Sequence, residues 1–274
     1  MTTTSTTDPA PGEPRVLTAR DGAIVTLTVN RPEARNALDG PTVDALTAAF
    51  EAIDADAGVR CVILTGAGDR AFVAGADIKA MAGLDRKGAL AFAQRGHRMA
   101  DLMEQLRVPI IAAVNGFALG AGLELALACD FIYAARTARM GMPEVGLGVI
   151  PGFGGTQRLA LRVGVARARE LIYSGVIIDA DAALRIGLAN ALVDADQLMT
   201  GVRGLAETIA RNAPLAVQAA KQTVTPGTLR GPDEPLAAAL AVERDQFAAL
   251  FATEDQKEGM RAFVEKRPPA WRGA

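Results

Sequence analysis

The stretch Ile111-Ala112-Ala113-Val114-Asn115-Gly116-Phe117-Ala118-Leu119-Gly120-Ala121-Gly122-Leu123-Glu124-Leu125-Ala126 decides the architecture. Its opening, with Pro109 and Ile110 before it, is a short apolar run that reads as a strand over Ile110–Val114. Closely spaced glycines then turn the chain into a helix near Gly120–Cys129, and Phe131–Ala134 reads as the next strand. Upstream, Ala23–Val29 is a strand rich in β-branched residues, broken by Asn30-Arg31-Pro32. Asp39-Gly40-Pro41 starts a helix, with Pro in the first turn and Val43, Leu46, Phe50 and Ile53 on one face. Cys61–Thr65 is an apolar run of the kind found in a strand covered on both faces. A glycine-bearing loop from Gly66 to Asp77 and a helix over Lys87–Leu106 complete the series. Strands alternating with helices imply an α/β fold with right-handed crossovers and a largely parallel sheet.

Beyond Pro151 the chain turns helical. Helices are expected over Arg158–Tyr173, Ala180–Ile186, Leu192–Arg211, Pro214–Val224 and from Pro235 onward. A short strand over Leu188–Val193 competes with the start of the third. No fixed-period repeat or long linker divides the 274 residues.

Half the residues are hydrophobic and 22% are charged, so a core can form without disulfide or metal support. Aromatics supply only 4%, which leaves the core to Ala, Val, Leu and Ile. The formal net charge of -2 offers no concentrated positive surface for nucleic acid. Cys61 and Cys129 lie in or beside apolar runs and read as buried, unpaired thiols. No apolar run is long enough to span a membrane. Met1–Pro14 is rich in Thr and Pro without Lys or an apolar stretch, and reads as a disordered tail rather than a targeting peptide. The expected setting is the cytoplasm. His97, the single histidine, sits among Arg95 and Arg98 and reads as a surface residue, with no second histidine for a metal site.

Three glycine-bearing loops follow the strands, and ligands of open α/β sheets bind at such ends. They contain Ala74-Gly75-Ala76-Asp77, Gly120-Ala121-Gly122-Leu123-Glu124 and Gly141-Met142-Pro143-Glu144. Glycines beside a carboxylate let backbone N–H groups approach a ligand. A helix opening at Gly120 adds free N–H groups and partial positive charge, suited to holding a developing oxyanion. Two glutamates on separate loops suit general acid and general base roles. Singly, each loop has an ordinary explanation: a packing turn, a solvated glutamate near a helix start, a Pro-Glu turn.

As an ordered set, however, these segments closely resemble the crotonase (enoyl-CoA hydratase/isomerase) superfamily. The matching runs are Ala71-Phe72-Val73-Ala74-Gly75-Ala76-Asp77-Ile78-Lys79, Ile111 through Ala126, Cys129-Asp130 and Met142-Pro143-Glu144. Gly148-Val149-Ile150-Pro151-Gly152-Phe153-Gly154-Gly155-Thr156-Gln157-Arg158-Leu159 and Glu254 through Phe263 extend the match to nearly everything after the tail. The resemblance implies a crotonase (ClpP-like) fold: a spiral core of repeated ββα units over residues 15–200 and a C-terminal helical trimerisation region over 201–274. It further implies a homotrimer or homohexamer, no cofactor, and a coenzyme A thioester as substrate. The N–H groups of Ala76 and Ala121 would form the oxyanion hole; hydratases often have Gly where this chain has Ala121. Glu124 would deprotonate the attacking water and Glu144 would protonate the α-carbon of a trans-2-enoyl-CoA, in the manner of fatty-acid β-oxidation. Ala74, Asp77, Ile78, Lys79, Gly120, Phe263 and Lys266 are the candidate substrate-binding residues. The turn at Gly152-Phe153-Gly154-Gly155 is expected to set backbone path beside Glu144, and Met81–Arg98 to wall the acyl chain.

Retention of both glutamates favours hydration, with Δ3,Δ2-enoyl-CoA isomerisation or another acyl-CoA reaction of the family as the alternative. Thr65-Gly66-Ala67-Gly68 superficially suggests a dinucleotide loop, yet Ala71 stands where the third glycine belongs. A scaffolding role on the same fold is disfavoured by the charge balance and the two glutamates.

Overall fold

A computed structural model describes residues 14–229, 244, 245 and 247–274. Met1–Glu13, most of the tail expected to be disordered, lies outside them, as does most of the Ala-rich stretch 236–250.

The strands fall into two sheets. Val16–Asp21 (β1) and Ile24–Val29 (β2) form an antiparallel hairpin at the edge of the larger one. Beside β2 lie Cys61–Gly66 (β3), Ile110–Val114 (β5), Phe131–Ala135 (β7) and Ala191–Val193 (β10), all in parallel register. The smaller sheet holds Ala71–Val73 (β4), Phe117–Leu119 (β6) and Arg139–Gly141 (β8) in parallel, with Ile177–Asp179 (β9) antiparallel at its edge. Successive strand pairs β3–β4, β5–β6 and β7–β8 each place one strand in either sheet. The chain therefore winds as a spiral, with helices between turns.

Those pairs are joined by corners with no room for side chains. A Cβ at Gly116 would stand 2.3 Å from the Arg70 carbonyl oxygen, and one at Gly66 would stand 2.2 Å from that of Phe72. Asn115 braces the same corners, its Nδ2 donating to the carbonyls of Gly66 at 2.9 Å and Gly68 at 2.7 Å. Two turns of the spiral are thereby held at backbone contact.

Gly40–Ala55 (α1) begins where the sequence predicts, with the Asp39 side chain accepting from the Thr42 N–H at 2.9 Å. Val43, Leu46, Phe50 and Ile53 turn inward as one face. Arg86–Gln105 (α3), capped by Asp85, packs against α1 after the single turn Ile78–Met81 (α2). Every residue of β3 is buried, as its apolar run predicts. Val62 and Leu64 face the main core, while Cys61 and Ile63 face the opposite side, covered by Leu198, Val202 and Ala206 of Leu198–Ala210 (α8). Cys61 and Cys129 are buried and free, and burial pushes the Cys61 thiol up to about 12.

Several elements differ from the sequence expectation for local reasons. The helix expected over Arg158–Tyr173 is two helices, Gly155–Val163 (α5) and Val165–Ser174 (α6), because Gly164 takes φ 81° and ψ 153° between them. The segment expected as a helix from Leu192 begins as β10 and a single 3-10 turn before α8 starts at Leu198. The smaller sheet went unread because strands of three residues are too short to show alternation. Further helices among the described residues are Ala121–Leu127 (α4), Ala180–Arg185 (α7), Pro214–Leu229 (α9) and Glu254–Glu265 (α10). Asp130 joins strand start to α9, its Oδ2 accepting from the Ile110 N–H at 2.8 Å and from Lys221 Nζ at 2.9 Å. No described helix is long and apolar enough to cross a membrane.

Candidate active site

The spiral brings the three glycine-bearing loops to one cleft of about 360 Å3. Ala74, Gly75, Ala76 and Ile78 line one side, and Leu119, Gly120, Ala121 and Glu124 the next. Pro143 and Glu144 line a third side, and Met81, Leu84, Phe92, Val149, Ile150 and Phe153 give the remainder an apolar wall.

The Ala76 peptide is held from both neighbours. Leu38 donates its N–H to the Gly75 carbonyl at 2.9 Å and accepts from the Asp77 N–H at 2.8 Å, leaving the Ala76 N–H between them uncommitted. Asp77 Oδ1 caps α2 by accepting from the N–H groups of Lys79 and Ala80. Its Oδ2 pairs with the buried Arg31 at 3.1 Å. Arg31 also reaches Asp39 and the Ala37 carbonyl, so one buried cation ties the start of α1 to the first loop.

Across the cleft, Ala121 is the first residue of α4, and neither its N–H nor that of Ala76 donates within the described residues. Gly122 sets the distance between the two loops: a Cβ there would stand 1.9 Å from the Val73 carbonyl oxygen. With no side chain at 122, α4 rests on β4, and two free amides end up on the same cleft. Two such donors are what a thioester oxygen gaining negative charge requires.

The two carboxylates differ in their surroundings. Glu124 is 2% exposed, and its Oε1 accepts from the N–H groups of Phe153 at 2.8 Å and Gly155 at 2.7 Å. Burial raises its pKa, partly offset by those two amides. Glu144 is the second residue of the 3-10 turn Pro143–Leu147, and both its carboxylate oxygens are buried without a hydrogen-bond partner among the described residues. Burial, opposed in part by its own backbone N–H and aided by the neighbouring Glu124 charge, pushes its carboxyl up to about 7. A carboxyl with that pKa is poised to give or take a proton near neutral pH, while Glu124 is fixed in orientation.

The structure therefore brings together Ala74, Ala76, Ile78, Gly120, Ala121, Glu124 and Glu144. It does not bring every candidate there. Asp77 stands beside the cleft with its carboxylate committed to the α2 cap and Arg31. Lys79 is exposed on α2 and Lys266 is exposed just beyond α10; neither lines the cleft. Phe263 belongs to α10, and its side chain lies outside the described residues. His97 is exposed, as expected. No group of three His, Cys, Asp or Glu side chains that could hold a metal occurs among the described residues.

The sequence assigns no site role to Arg31 or Arg158, and it marks Phe153 only as part of a turn that sets backbone path. Arg158 Nη1 donates to the Phe153 carbonyl at 2.9 Å, while its Nε and Nη2 grip Glu104 of α3 at 2.6 and 3.1 Å. The peptide chain at Phe153 is thus held on one side by Arg158 and itself holds Glu124 on the other. The turn placed beside Glu144 by resemblance makes its hydrogen bonds to the other glutamate.

Comparison with known proteins agrees with this arrangement. Residues 19–274 match the family model described as enoyl-CoA hydratase/isomerase. A short-chain-enoyl-CoA hydratase of Clostridium acetobutylicum is 45% identical over 252 residues, covering 92% of this chain and 95% of that protein. A crotonyl-CoA hydratase of Syntrophomonas wolfei is 44% identical over the same length, again covering 92% and 95%. The crystal structure of an enoyl-CoA hydratase from Bacillus anthracis superposes with a TM-score of 0.91 at 38% identity, covering 95% of this chain and 100% of that one. With the two-sheet spiral, the paired free amides and the family match in agreement, the fold is the crotonase fold, and the chain belongs to the enoyl-CoA hydratase/isomerase family.

Proposed function

We propose that this chain adds water to trans-2-enoyl-CoA thioesters to give 3-hydroxyacyl-CoA. One observation carries the reading: two buried carboxylates with unequal hydrogen bonding face a single cleft beside two uncommitted amides. Relatives at 45% and 44% identity that are a short-chain-enoyl-CoA and a crotonyl-CoA hydratase support the same choice.

The thioester oxygen would lie against the N–H groups of Ala76 and Ala121, which draw electron density from the conjugated double bond. Glu124 is the base. Its Oε1 is occupied by two amides, so the carboxylate is oriented, and its unshared basicity is available to a water. The water oxygen bonds to the β-carbon as its proton passes to Glu124. The electron pair of the double bond moves to the α-carbon and thioester oxygen, where the two amides stabilise it. Glu144, a carboxyl that holds its proton to about 7, then gives that proton to the α-carbon. Proton exchange through a shared water resets the pair.

The substrate would bring its own coenzyme A, and the reaction needs no redox or metal partner. We also propose assembly as a homotrimer or homohexamer in the cytoplasm. Exposed Leu161, Val165, Tyr173, Val176, Ile177 and Leu184 support the assembly, because single chains rarely leave so many large apolar side chains in water. Light scattering on the purified chain checks it, and a monomer would overturn it.

The direct test is hydration of crotonyl-CoA followed by loss of the conjugated-enoyl absorbance. Glu124→Gln and Glu144→Gln should each keep the fold and lose roughly 10²–10⁴-fold in rate. Wild-type turnover in either variant, or conversion of 3-enoyl-CoA to 2-enoyl-CoA in preference to hydration, would overturn the assignment.

A further inference from the structure

We infer that Arg31, a residue outside the cleft, is a positioning residue of the oxyanion hole: it aims the Ala76 N–H by gripping both sides of the bridge between Leu38 and Ala76. The inference rests on the proposed function for the identity of the reaction. It adds a residue that acts on the thioester oxygen without touching it.

The Ala76 N–H is soft by construction. It belongs to the peptide that joins Gly75 to Ala76, and Gly75 takes φ 122°, a region open to glycine and rarely to other residues. A peptide preceded by glycine rotates at little cost unless its atoms are held elsewhere. Leu38 supplies the hold. Its N–H donates to the Gly75 carbonyl at 2.9 Å and its carbonyl accepts from the Asp77 N–H at 2.8 Å, the pattern of a parallel bridge. In a planar trans peptide the N–H points opposite to the C=O. With the Gly75 carbonyl turned to Leu38, the Ala76 N–H is turned away from it, and Ala76 lines the cleft. The direction of one oxyanion-hole donor is therefore set by the position of Leu38.

Arg31 fixes that position from both flanks. Its Nη1 donates to the Ala37 carbonyl at 2.7 Å and stands 3.4 Å from Asp39 Oδ2, so it holds the residues immediately before and after Leu38. Its Nη2 donates at 3.1 Å to Oδ2 of Asp77, the residue immediately after Ala76. The two aspartates have matching duties. Asp39 Oδ1 accepts from the Thr42 N–H and caps α1, and Asp77 Oδ1 accepts from the Lys79 N–H and caps α2. Each turns its other oxygen to Arg31. The Arg31 main chain is held in turn by Asn36, whose Oδ1 accepts from the Arg31 N–H at 3.0 Å and whose N–H donates to the Arg31 carbonyl at 2.8 Å. Arg31 is 4% exposed and Leu38 is fully buried, and a guanidinium forked onto carboxylates in such surroundings makes a stiff joint.

Neither Arg31 nor Asp77 lines the cleft. A change in either reaches the thioester through the main chain around Ala76. Negative charge gathers on the thioester oxygen in the transition state, so a mis-aimed amide weakens that state more than the bound substrate. The loss falls on kcat.

The test compares the wild type with Arg31→Lys and Asp77→Asn. Arg31→Lys keeps the charge and loses the planar fork that spans Ala37, Asp39 and Asp77. Asp77→Asn keeps an acceptor for the α2 cap and loses the charge facing Arg31. Two readouts are taken on protein that circular dichroism shows to be folded. One is kcat and KM for crotonyl-CoA. The other is the infrared carbonyl stretch of bound butyryl-CoA carrying carbon-13 at the thioester carbonyl. Butyryl-CoA is saturated and cannot be hydrated, and hydrogen bonds to its carbonyl oxygen lower the stretching frequency, so the band reports donor alignment directly. Binding to the wild type should lower that frequency. Both variants should lose at least half of the lowering and about 10- to 100-fold in kcat, with KM near the wild-type value. Should Arg31→Lys not fold, Asp77→Asn decides. A purely structural role would reduce stability in urea and leave the carbonyl frequency of the folded variants as in the wild type. That result would overturn the inference, as would an unshifted wild-type carbonyl, a shift lost without a fall in kcat, or an effect confined to KM. A wild type that shifts the carbonyl but does not hydrate crotonyl-CoA would instead sink the hydratase reading, and the carbonyl frequency of the variants would then decide this inference alone.

Discussion

Gly120 and Glu144 meet without an atom to spare: a Cβ on Gly120 would stand 2.9 Å from Glu144 Oε1. The same glycine holds φ 50° and ψ −123°, a conformation that L side chains rarely adopt, and its N–H donates to the Gly141 carbonyl at 2.9 Å. One residue thus turns the chain into α4, presents the Ala121 amide and leaves space for the carboxyl opposite.

Gly120→Ala should therefore damage catalysis more than folding. Backbone strain would cost about 1–3 kcal/mol, and displacement of Glu144 should remove most of the roughly 10²–10⁴-fold that a positioned acid contributes. Circular dichroism together with crotonyl-CoA kinetics checks this. A folded Gly120→Ala protein with wild-type kcat would show that Glu144 does not need that approach.

The pH dependence follows from Glu144. As proton donor it must be protonated, so kcat/KM should decline as pH rises through about 7. Stability has the same direction. The folded carboxyl keeps its proton to about 7, whereas an unfolded glutamate loses it near 4.5, so the folded state binds more protons across that window. Stability contributed by this group is therefore present at the acid end and lost as pH rises from about 4.5 to 7. Denaturant midpoints of the wild type against Glu144→Gln should diverge across that window, with Glu144→Gln gaining relative stability as pH rises. Parallel curves would mean that the carboxyl is not desolvated.

Arg158 is a positioning residue, acting on the base through the Phe153 peptide. Its side chain is 12% exposed and forks onto Glu104 while Nη1 holds the Phe153 carbonyl. Lys cannot reproduce that planar fork. Arg158→Lys should lower kcat by about 10- to 100-fold through small misplacement of Glu124, with KM for crotonyl-CoA nearly unchanged. A purely structural role would instead lower stability and leave kcat per folded molecule at the wild-type value.

What could be read from the chain alone depended on whether side-chain chemistry or main-chain geometry did the work. Glu124, Glu144, Ala76 and Ala121 are candidates only through the ordered set of segments that resembles the crotonase superfamily, since each loop alone has an ordinary explanation; the fold brings all four to one cleft. The Phe153 amide was not legible, since any residue but proline offers the same N–H, and the residue type records only the ring. Arg31 and Arg158 read as ordinary charged residues, because nothing local reveals that a loop closes over them. At fold level, α1 and β3 announced themselves by periodicity and by an unbroken apolar run. The three-residue strands β4, β6 and β8 could not, since their sheet exists through long-range pairing and the tight corners at Gly66 and Gly116.

Lys221 offers a test of how α9 is joined to the spiral. Its side chain is 5% exposed, and Nζ donates to Asp130 at 2.9 Å and to the carbonyls of Val108 at 3.0 Å and Met103 at 3.2 Å. Asp130 in turn accepts from the Ile110 N–H at the start of β5. Lys221→Met would strand the Asp130 charge and two carbonyls, which for a buried pair costs about 3–5 kcal/mol. Asp130→Asn removes the stranded charge while keeping an acceptor for Ile110, so adding it to Lys221→Met should restore part of the loss. Neither residue lines the cleft, so KM for crotonyl-CoA should stay at its wild-type value. Urea unfolding of the two single variants and the double variant closes the cycle. A double variant no more stable than Lys221→Met alone would show that the two charges are not coupled, and that α9 is held chiefly by its apolar contacts.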